Sequence, residues 1–377
     1  MIKKSDTIKI MNILWIICII GFLAFLGLRD SKLFFNSAYG IFLAESDSIT
    51  EESTMAQTIK DRMKYVHLNG LGARVLHQKI LNGVILDQDG MMYNLSDMNT
   101  SLDIDAQTKA AKDVDAIYAL SNEMDIEFLY VQRPIKYPSA CLPYGYCNLS
   151  DPDLEAFRLN YCKSKGERYL DLREVLGENL EFYRTDHHWT VETAYQAARC
   201  IEERLGHETD VYDSSNFNKL TYSNCFLGSM GIRTGKYFGG IDDIEFLIPT
   251  YSTSFHYQHY INHELTLEKE GDFATAFLDY DILNNKEYYN KHDANLNGSY
   301  VETRIINNEA DNDKKVLVIA DSYGKAMSMY TALNYHETRY LDPQNGRYTD
   351  NYLDYIRDYQ PDIIIEMAFL DINVGQE

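Results

Sequence analysis

Basic residues are the scarce charge in this sequence: 35 Lys and Arg stand against 57 Asp and Glu, a formal net charge of −22 over 377 residues. Neutralising phosphates takes clusters of Lys and Arg, so nucleic acid is excluded as a partner, and an anionic polymer fits poorly for the same reason. Proline is scarce as well, seven residues without a cluster, and no internal repeat or low-complexity tract is present, which excludes collagenous, coiled-coil and disordered classes. The six cysteines include no Cys-x-x-Cys pair, so structural zinc and thioredoxin-like redox chemistry have no support. What is there is globular in kind, 45% hydrophobic and 24% charged, enough to bury the core of one large α/β domain or of two smaller ones.

Charge is missing altogether from residues 10–28, IMNILWIICIIGFLAFLGL, a run long enough to cross roughly 30 Å of hydrocarbon as a helix. Lys3, Lys4 and Lys9 precede it, and the positive-inside bias keeps them in the cytoplasm and sends the chain beyond Arg29 outward. A cleavable signal peptide is the rival, but it wants a shorter apolar region and a small-x-small cleavage site, which Leu-Arg-Asp-Ser-Lys does not supply. The expected organisation is a cytoplasmic N-terminus at 1–9, an uncleaved transmembrane anchor at 10–28, an acidic tether at 29–56 and an extracytoplasmic domain at 57–377. Cys141, Cys147, Cys162, Cys200 and Cys225 then lie where disulfides persist. Cys141 and Cys147 flank the turn-like Leu-Pro-Tyr-Gly-Tyr and form either a local bridge or free buried thiols.

The exported part reads as α/β with a mostly parallel sheet flanked by helices. Residues 83–95 alternate apolar positions around Asp89-Gly90, a hairpin signal. Ala111, Val114, Ile117 and Ser121 keep helical spacing over 106–124, and the β-rich run at 126–134 follows at once. Residues 314–333 read as a continuous apolar strand, a turn carrying Asp321-Ser322 and a helix; a second helix through Tyr352, Leu353, Ile356 and Tyr359 stops at Pro361, before a last strand at 362–369. Continuous rather than alternating apolar strands are covered on both faces, as in a parallel sheet. Residues 207–310, rich in Tyr, Asn and Asp, are expected to form an irregular or β-containing insertion.

Two segments carry complementary chemistry. Asp186, His187 and His188 sit on a loop before a helix with apolar Val191, Ala194, Ala198, Ile201 and Leu205, for which Thr190 is the expected N-cap. Ser322 lies at the C-terminal end of a parallel strand and the start of a helix, the edge where open α/β sheets bind ligands. There the N–H groups of Tyr323 and Gly324 can face a developing oxyanion. The serine lacks a base, which His188 can supply, and Asp186 can fix that imidazole's tautomer. The bland readings are an Asp-Ser pair that only caps a helix, and an Asp-His-His loop that is solvated or holds a metal. A metal site would need further acids such as Asp242 and Asp243, and no Asp-x-Asp follows an upstream apolar strand. Trp189 is expected to pack beneath the loop.

Thr185-Asp186-His187-His188-Trp189-Thr190 and Val318-Ile319-Ala320-Asp321-Ser322-Tyr323 resemble the DHHW family and the related alginate O-acetyltransferase type of SGNH-hydrolase-like proteins, in which the acid and histidine precede the serine. The resemblance extends to Gly83–Gly90 as an early hairpin, to Arg133-Pro134-Ile135-Lys136 as a Pro-x-Lys segment and to Phe226-Leu227-Gly228-Ser229-Met230-Gly231 as a Gly-Ser loop, so it runs from about residue 80 to the end. It implies an SGNH-like fold with permuted motif order, Ser322 as nucleophile, His188 as base and Asp186 as orienting acid, with His187 outside the triad. Tyr323, Gly324, Gly228, Ser229, Lys136 and Arg233 are the implied oxyanion or substrate contacts; no metal and no cofactor is expected.

The implied activity is O-acetyl transfer to a cell-surface or secreted polysaccharide. Its implied partners are that polysaccharide and a membrane-bound acyltransferase that hands acetyl groups outward. A carbohydrate acetyl esterase with the same three residues, and a non-catalytic polysaccharide-binding or assembly protein, are the alternatives. Alginate-type relatives carry a Glu followed four residues later by Arg, whereas Glu366 here is followed by Met367-Ala368-Phe369-Leu370, so neither an anionic-substrate contact there nor alginate as substrate carries over.

Overall fold

The computed structural model describes residues 62–96, 103–136, 142–143, 152–298, 301–370 and 372–375. The chain divides into two compact units, Met1–Leu68 and Asn69–Glu377. Of the first, only residues 62–68 are described, as the start of helix α1 (Arg62–Val75). The anchor at 10–28, the tether at 29–56 and the Cys141–Cys147 pair lie outside the described residues. Among the described residues no helix is long and apolar enough to cross a membrane, and Cys200 and Cys225 are free thiols.

The second unit opens with a small antiparallel sheet of β1 (Ile80–Leu81), β2 (Val84–Leu86) and β3 (Met92–Asn94). The hairpin expected around Asp89-Gly90 is present, but its loop spans residues 87–91: the Asp87 carboxylate accepts from the N–H groups of Asp89 and Met91 and holds the wider turn. The tight two-residue turn is Asn82-Gly83, with φ of 49° and 72°, joining β1 to β2.

Next come α2 (Ile104–Glu123), β4 (Glu127–Gln132), α3 (Pro152–Lys163), β5 (Tyr169–Asp171) and α4 (Val191–Leu205). The Asp103 side chain accepts from Ala106 N–H and starts α2 two residues before the apolar pattern does. Thr190 caps α4 through Thr193 N–H, and Val191, Ala194, Ala198 and Ile201 are buried beneath it.

Residues 207–310 hold a separate pair, β6 (Phe217–Phe226) and β7 (Asp242–Pro249), and then β8 (Phe255–Ile261), β9 (Glu264–Gly271) and β10 (Glu302–Asn307). The chain ends with β11 (Lys315–Ile319), α5 (Tyr323–Thr331), β12 (Glu337–Leu341), α6 (Tyr352–Tyr359) and β13 (Ile363–Glu366). The main sheet has the order β5-β4-β13-β11-β12-β10-β8-β9. Its first five strands are parallel, and β10, β8 and β9 extend it antiparallel from β12.

Side chains alternate across the parallel strands as the two-period dictates. Leu129, Val131, Val316, Val318, Ile363 and Ile365 face one core with α4 and α5. Phe128, Tyr130, Leu317, Ile319 and Ile364 face another with α2 and α6. Strands buried on both faces explain the continuous apolar runs. They also make β11 the rigid centre of the sheet, with β13 and β12 on its flanks, and Ser322 stands just past its C-terminal end.

Candidate active site

Ser322 has helical backbone angles, φ −56° and ψ −17°, and its hydroxyl makes no capping bond to α5. The cap is Asp321, whose carboxylate accepts from Tyr323 N–H at 3.1 Å. The serine hydroxyl is therefore spared from helix duty and meets His188 Nε2 at 2.8 Å. His188 Nδ1 lies 2.5 Å from Asp186 Oδ1, which also accepts the His188 backbone N–H at 2.9 Å, while Oδ2 accepts Ser229 N–H at 2.5 Å. Burial raises the Asp186 carboxyl, but the His188 charge and hydrogen bond, helped by His187 and His292, outweigh it and hold the group well below the usual carboxylate range. An ionised carboxylate only accepts, so Nδ1 carries the ring proton and the Nε2 lone pair is left facing the Ser322 hydroxyl. That arrangement can take a proton from the serine as its oxygen attacks a carbonyl.

The loop that carries the acid and the histidine is fastened at several points. Tyr183 N–H donates to His188 O, and Phe182 and Trp189 form an isolated bridge. Trp189 is buried, its ring edge-on to Tyr323 at 5.3 Å, as expected of packing beneath the loop. Asp242, a conceivable metal ligand by sequence, accepts instead from the N–H groups of Arg184 and Thr185 and from the Thr185 hydroxyl. Asp243 likewise accepts from Asn224 N–H. The donor atoms of Asp186, His187 and His188 lie within 4.8 Å of one another, but the Asp242 carboxylate is committed to the loop backbone.

Six residues expected at the oxyanion or substrate have partners within the protein. Tyr323 N–H is spent on the Asp321 carboxylate and Gly324 N–H on the Asp321 carbonyl at 2.8 Å, so neither faces an oxyanion above Ser322. Gly324 is there for packing: a Cβ would stand 2.5 Å from Ala320 Cβ and 2.9 Å from the Tyr340 ring. Gly228 N–H donates to Thr185 Oγ1, and Ser229 donates its N–H to Asp186 and places its hydroxyl 3.0 Å from His187 Nδ1, so this loop orients the acid. Lys136 donates to the carbonyls of Tyr183, Arg184 and Asp186 at 2.6, 3.0 and 2.9 Å, clamping the loop rather than reaching for substrate. Burial pulls its ammonium down to about 7, opposed by Asp186, Asp242 and Asp87. Arg233 donates to Ser229 O, and Asn82 at the β1–β2 turn holds its carbonyl.

Gly228 shows how closely the acid is packed. A Cβ there would lie 2.1 Å from Asp186 Cβ, which is fixed to the backbone, and 2.2 Å from its Oδ2, which Ser229 N–H holds. Gly228→Ala is therefore expected to push the carboxylate off His188 and lower turnover of an acetyl ester by roughly 10²-fold, the scale of a 1 Å misplacement. Activity within twofold of the parent, measured on folded protein, would contradict this packing.

Two groups at the site went unassigned in the sequence. Arg133, in the Pro-x-Lys segment, pairs with Asp321 at 2.7 Å and lies over the Tyr323 ring at 4.3 Å, so it brings a cation to both neighbours of Ser322. Its place after β4, on the C-terminal edge of a parallel strand, is the signal that could have drawn attention to it. His292 stacks on His188 with ring centroids 3.8 Å apart and planes 9° from parallel. It is a lone histidine in an aperiodic segment, and no local pattern points to it. Glu366 is fully buried, and burial with the nearby Asp113 and Asp115 pushes its carboxyl well above the usual range.

Residues 158–341 match the family model described as DHHW protein, which shows the resemblance read from the sequence. Among solved structures, a DHHW family protein from Eubacterium siraeum is similar over 79% of this chain and 94% of its own, with 18% identity and a TM-score of 0.56. Bacillus cereus PatB1, solved with a sulfonyl adduct, is similar over 78% of this chain and 96% of its own, with 17% identity and a TM-score of 0.58. At such identities these likenesses show the fold. No curated protein matches the chain in sequence.

Proposed function

From the DHHW resemblance over residues 158–341 we propose that the chain is a membrane-anchored, extracytoplasmic O-acetyltransferase acting on a cell-surface or secreted polysaccharide. The observation that carries this reading is the hydrogen-bonded series Asp186, His188, Ser322 at the C-terminal edge of the central parallel strand. Ser322 Oγ attacks the acetyl carbonyl while His188 Nε2 takes the serine proton, and Asp186 supports the imidazolium so formed. His188 returns that proton to the departing donor group, then deprotonates a sugar hydroxyl as it attacks the acetyl-serine, and passes that proton to Ser322 Oγ as its bond to the acetyl group breaks. Arg133, on both neighbours of the nucleophile, offsets the Asp321 charge and favours the negative charge that develops on the carbonyl oxygen. The fold is read as SGNH-hydrolase-like, with acid and histidine ahead of the serine and residues 207–310 as an insertion.

Extracellular space offers no acetyl-CoA, so a membrane acyltransferase is the proposed acetyl donor. The anchor at 10–28 would hold Ser322 near it and raise their effective concentration. If so, the chain stays in the membrane fraction through a high-salt wash, since salt screens only electrostatic attachment.

The test is to incubate the full-length, detergent-solubilised protein with 4-nitrophenyl acetate, with and without neutral oligosaccharides, and weigh the sugars by mass spectrometry. Acetylated sugar is the expected product. Acetate alone would make the chain an esterase, and neither product would make it non-catalytic. PatB1 carries a sulfonyl adduct in its structure, so a sulfonyl fluoride is the matching probe, and it is expected to add one sulfonyl group at Ser322.

A further inference from the structure

Lys291–Ala294 is a short 3₁₀ turn within the Tyr- and Asn-rich segment that the sequence leaves without a role. It is held rigidly. Lys291 is buried and its ammonium donates to the carbonyls of Ile282 and Asn285 at 2.6 and 2.7 Å, while the Asn295 side chain donates to His292 O at 2.8 Å. Asp293 accepts from the Tyr288 hydroxyl at 2.5 Å and from the Asn290 side chain at 2.9 Å. Tyr289 O accepts from Leu227 N–H, which ties the turn to the Gly228-Ser229 loop. The ring this turn presents, His292, is almost completely buried, and its Nε2 has no hydrogen-bond partner among the described residues. An apolar ring would fill that space without leaving a polar atom unmet. What the imidazole does instead is lie flat on His188, centroid to centroid at 3.8 Å.

We infer that His292 is a positioning residue: its ring, stacked face to face on His188, fixes the plane in which that imidazole joins Asp186 to Ser322 and shuts water off from the same face. This rests on the acyl-transfer reading of the site. Asp186 and Ser322 grip the two nitrogens of His188 along one line, so rocking about that line is limited by the rings around it: His187 and Tyr323, tilted by 36° and 52° at 3.9 and 5.0 Å, and His292, the one that lies parallel. A rigid flat neighbour removes that motion. Burial, with the charges of His188 and Lys325 nearby, pushes the His292 imidazole well below its ordinary value, so the stacked partner is neutral and presents a π-face to the imidazolium that forms during turnover. Two charged rings at this spacing would repel, so the depth of burial is part of the device. The geometry also assigns a purpose to residues 207–310 at the site, since His292, Gly228 and Ser229 all come from them.

His292→Leu removes the flat ring and His292→Phe keeps one. Both are made in the full chain and compared by thermal melting to establish folding. The expected result for the leucine variant is a drop of at least tenfold in kcat on 4-nitrophenyl acetate and in the rate of Ser322 sulfonylation, with KM within twofold. In proton NMR the far-downfield resonance of the His188 Nδ1–H bonded to Asp186 is expected to broaden or vanish as solvent exchange quickens. The phenylalanine variant recovers both rate and resonance. A folded leucine variant with the parent's resonance and sulfonylation rate would overturn the inference, as would a phenylalanine variant no better than leucine. Should the parent itself take no sulfonyl group and cleave no ester, the functional reading falls, while the resonance in the two variants still decides whether His292 holds His188.

Discussion

Ser322→Ala is expected to leave a folded protein that takes no sulfonyl group and cleaves acetyl esters roughly 10⁴-fold more slowly or worse. The fold should survive for specific reasons. Ser322 has helical φ and ψ, which alanine adopts readily, and its hydroxyl makes no bond to the first turn of α5, whose cap is the Asp321 carboxylate. Among the described residues the only side-chain bond lost is the one to His188 Nε2, and that nitrogen is an acceptor, so its loss leaves a lone pair and not a buried donor in want of a partner. The chemistry cannot survive in the same way, because among the described residues no other hydroxyl is bonded to that nitrogen. Melting curves, ester hydrolysis and intact-protein mass after sulfonyl fluoride treatment check the three claims. A folded variant that keeps the parent's activity would end the acyl-enzyme reading.

The parts of the fold that could be read from sequence are those where one physical rule governs alone. Val316–Ile319 and Ile363–Ile365 are apolar without interruption because both faces are covered, and they were legible as parallel strands. Helix α4 was legible because Thr190 and the apolar spacing agree. The extent of α2 was not, since its start is set by the single Asp103 cap and not by the apolar pattern. Strands β8 to β10 were illegible in detail because β9 is largely exposed and β8 spells its regular burial alternation with Tyr and His on both faces, so pairing with the sheet edge, and not local preference, decides their state. The Asn82-Gly83 turn, by contrast, was a readable signal that the Asp89-Gly90 pattern overshadowed.

The site divides along a similar line. Ser322, His188 and Asp186 were legible as a group because the proposed acyl transfer asks for a hydroxyl, an imidazole and a carboxylate presented from a loop and a strand end, and the fold brings these three into hydrogen-bond contact. For Lys136, Gly228 and Ser229 the sequence shows the residue types but not their partners. Their partners in the structure are backbone carbonyls, the Thr185 hydroxyl and the Asp186 carboxylate of one loop, brought to them from 43 to 50 positions away by the fold. The donors expected behind Ser322 failed for a local reason: Asp321, immediately before it, accepts the N–H of Tyr323 through its side chain and that of Gly324 through its carbonyl. A turn that ends in Asp-Ser thus offers its first helical N–H groups to its own aspartate before it offers them to a ligand.

Asp186→Asn is expected to cut turnover by about 10³–10⁴-fold while the protein stays folded. The carboxylate accepts three hydrogen bonds, two at Oδ1 from the His188 N–H and Nδ1–H, and one at Oδ2 from Ser229 N–H. Asparagine has one accepting oxygen. If that oxygen faces His188, the amide NH₂ meets the Ser229 N–H, donor against donor, and the loop must give way. If the amide is flipped, its NH₂ faces Nδ1, which must then accept, so the ring proton moves to Nε2 and the nitrogen facing Ser322 is no longer a base. The imidazolium also loses its counter-charge in either case. The pH dependence separates this electrostatic role from mere packing. His188, with His187 and His292, holds the parent's carboxyl well below its unfolded value against the opposing effect of burial, so its contribution to stability is fully present above the ordinary carboxylate range and is lost as pH falls through the depressed folded value. The stability gap between parent and Asp186→Asn should therefore be constant near neutral pH and close only in acid, below the usual carboxylate range, as read from denaturant midpoints at a series of pH values. A folded asparagine variant that labels at Ser322 within tenfold of the parent rate, or a stability gap that is flat down to strong acid, would remove Asp186 from the mechanism.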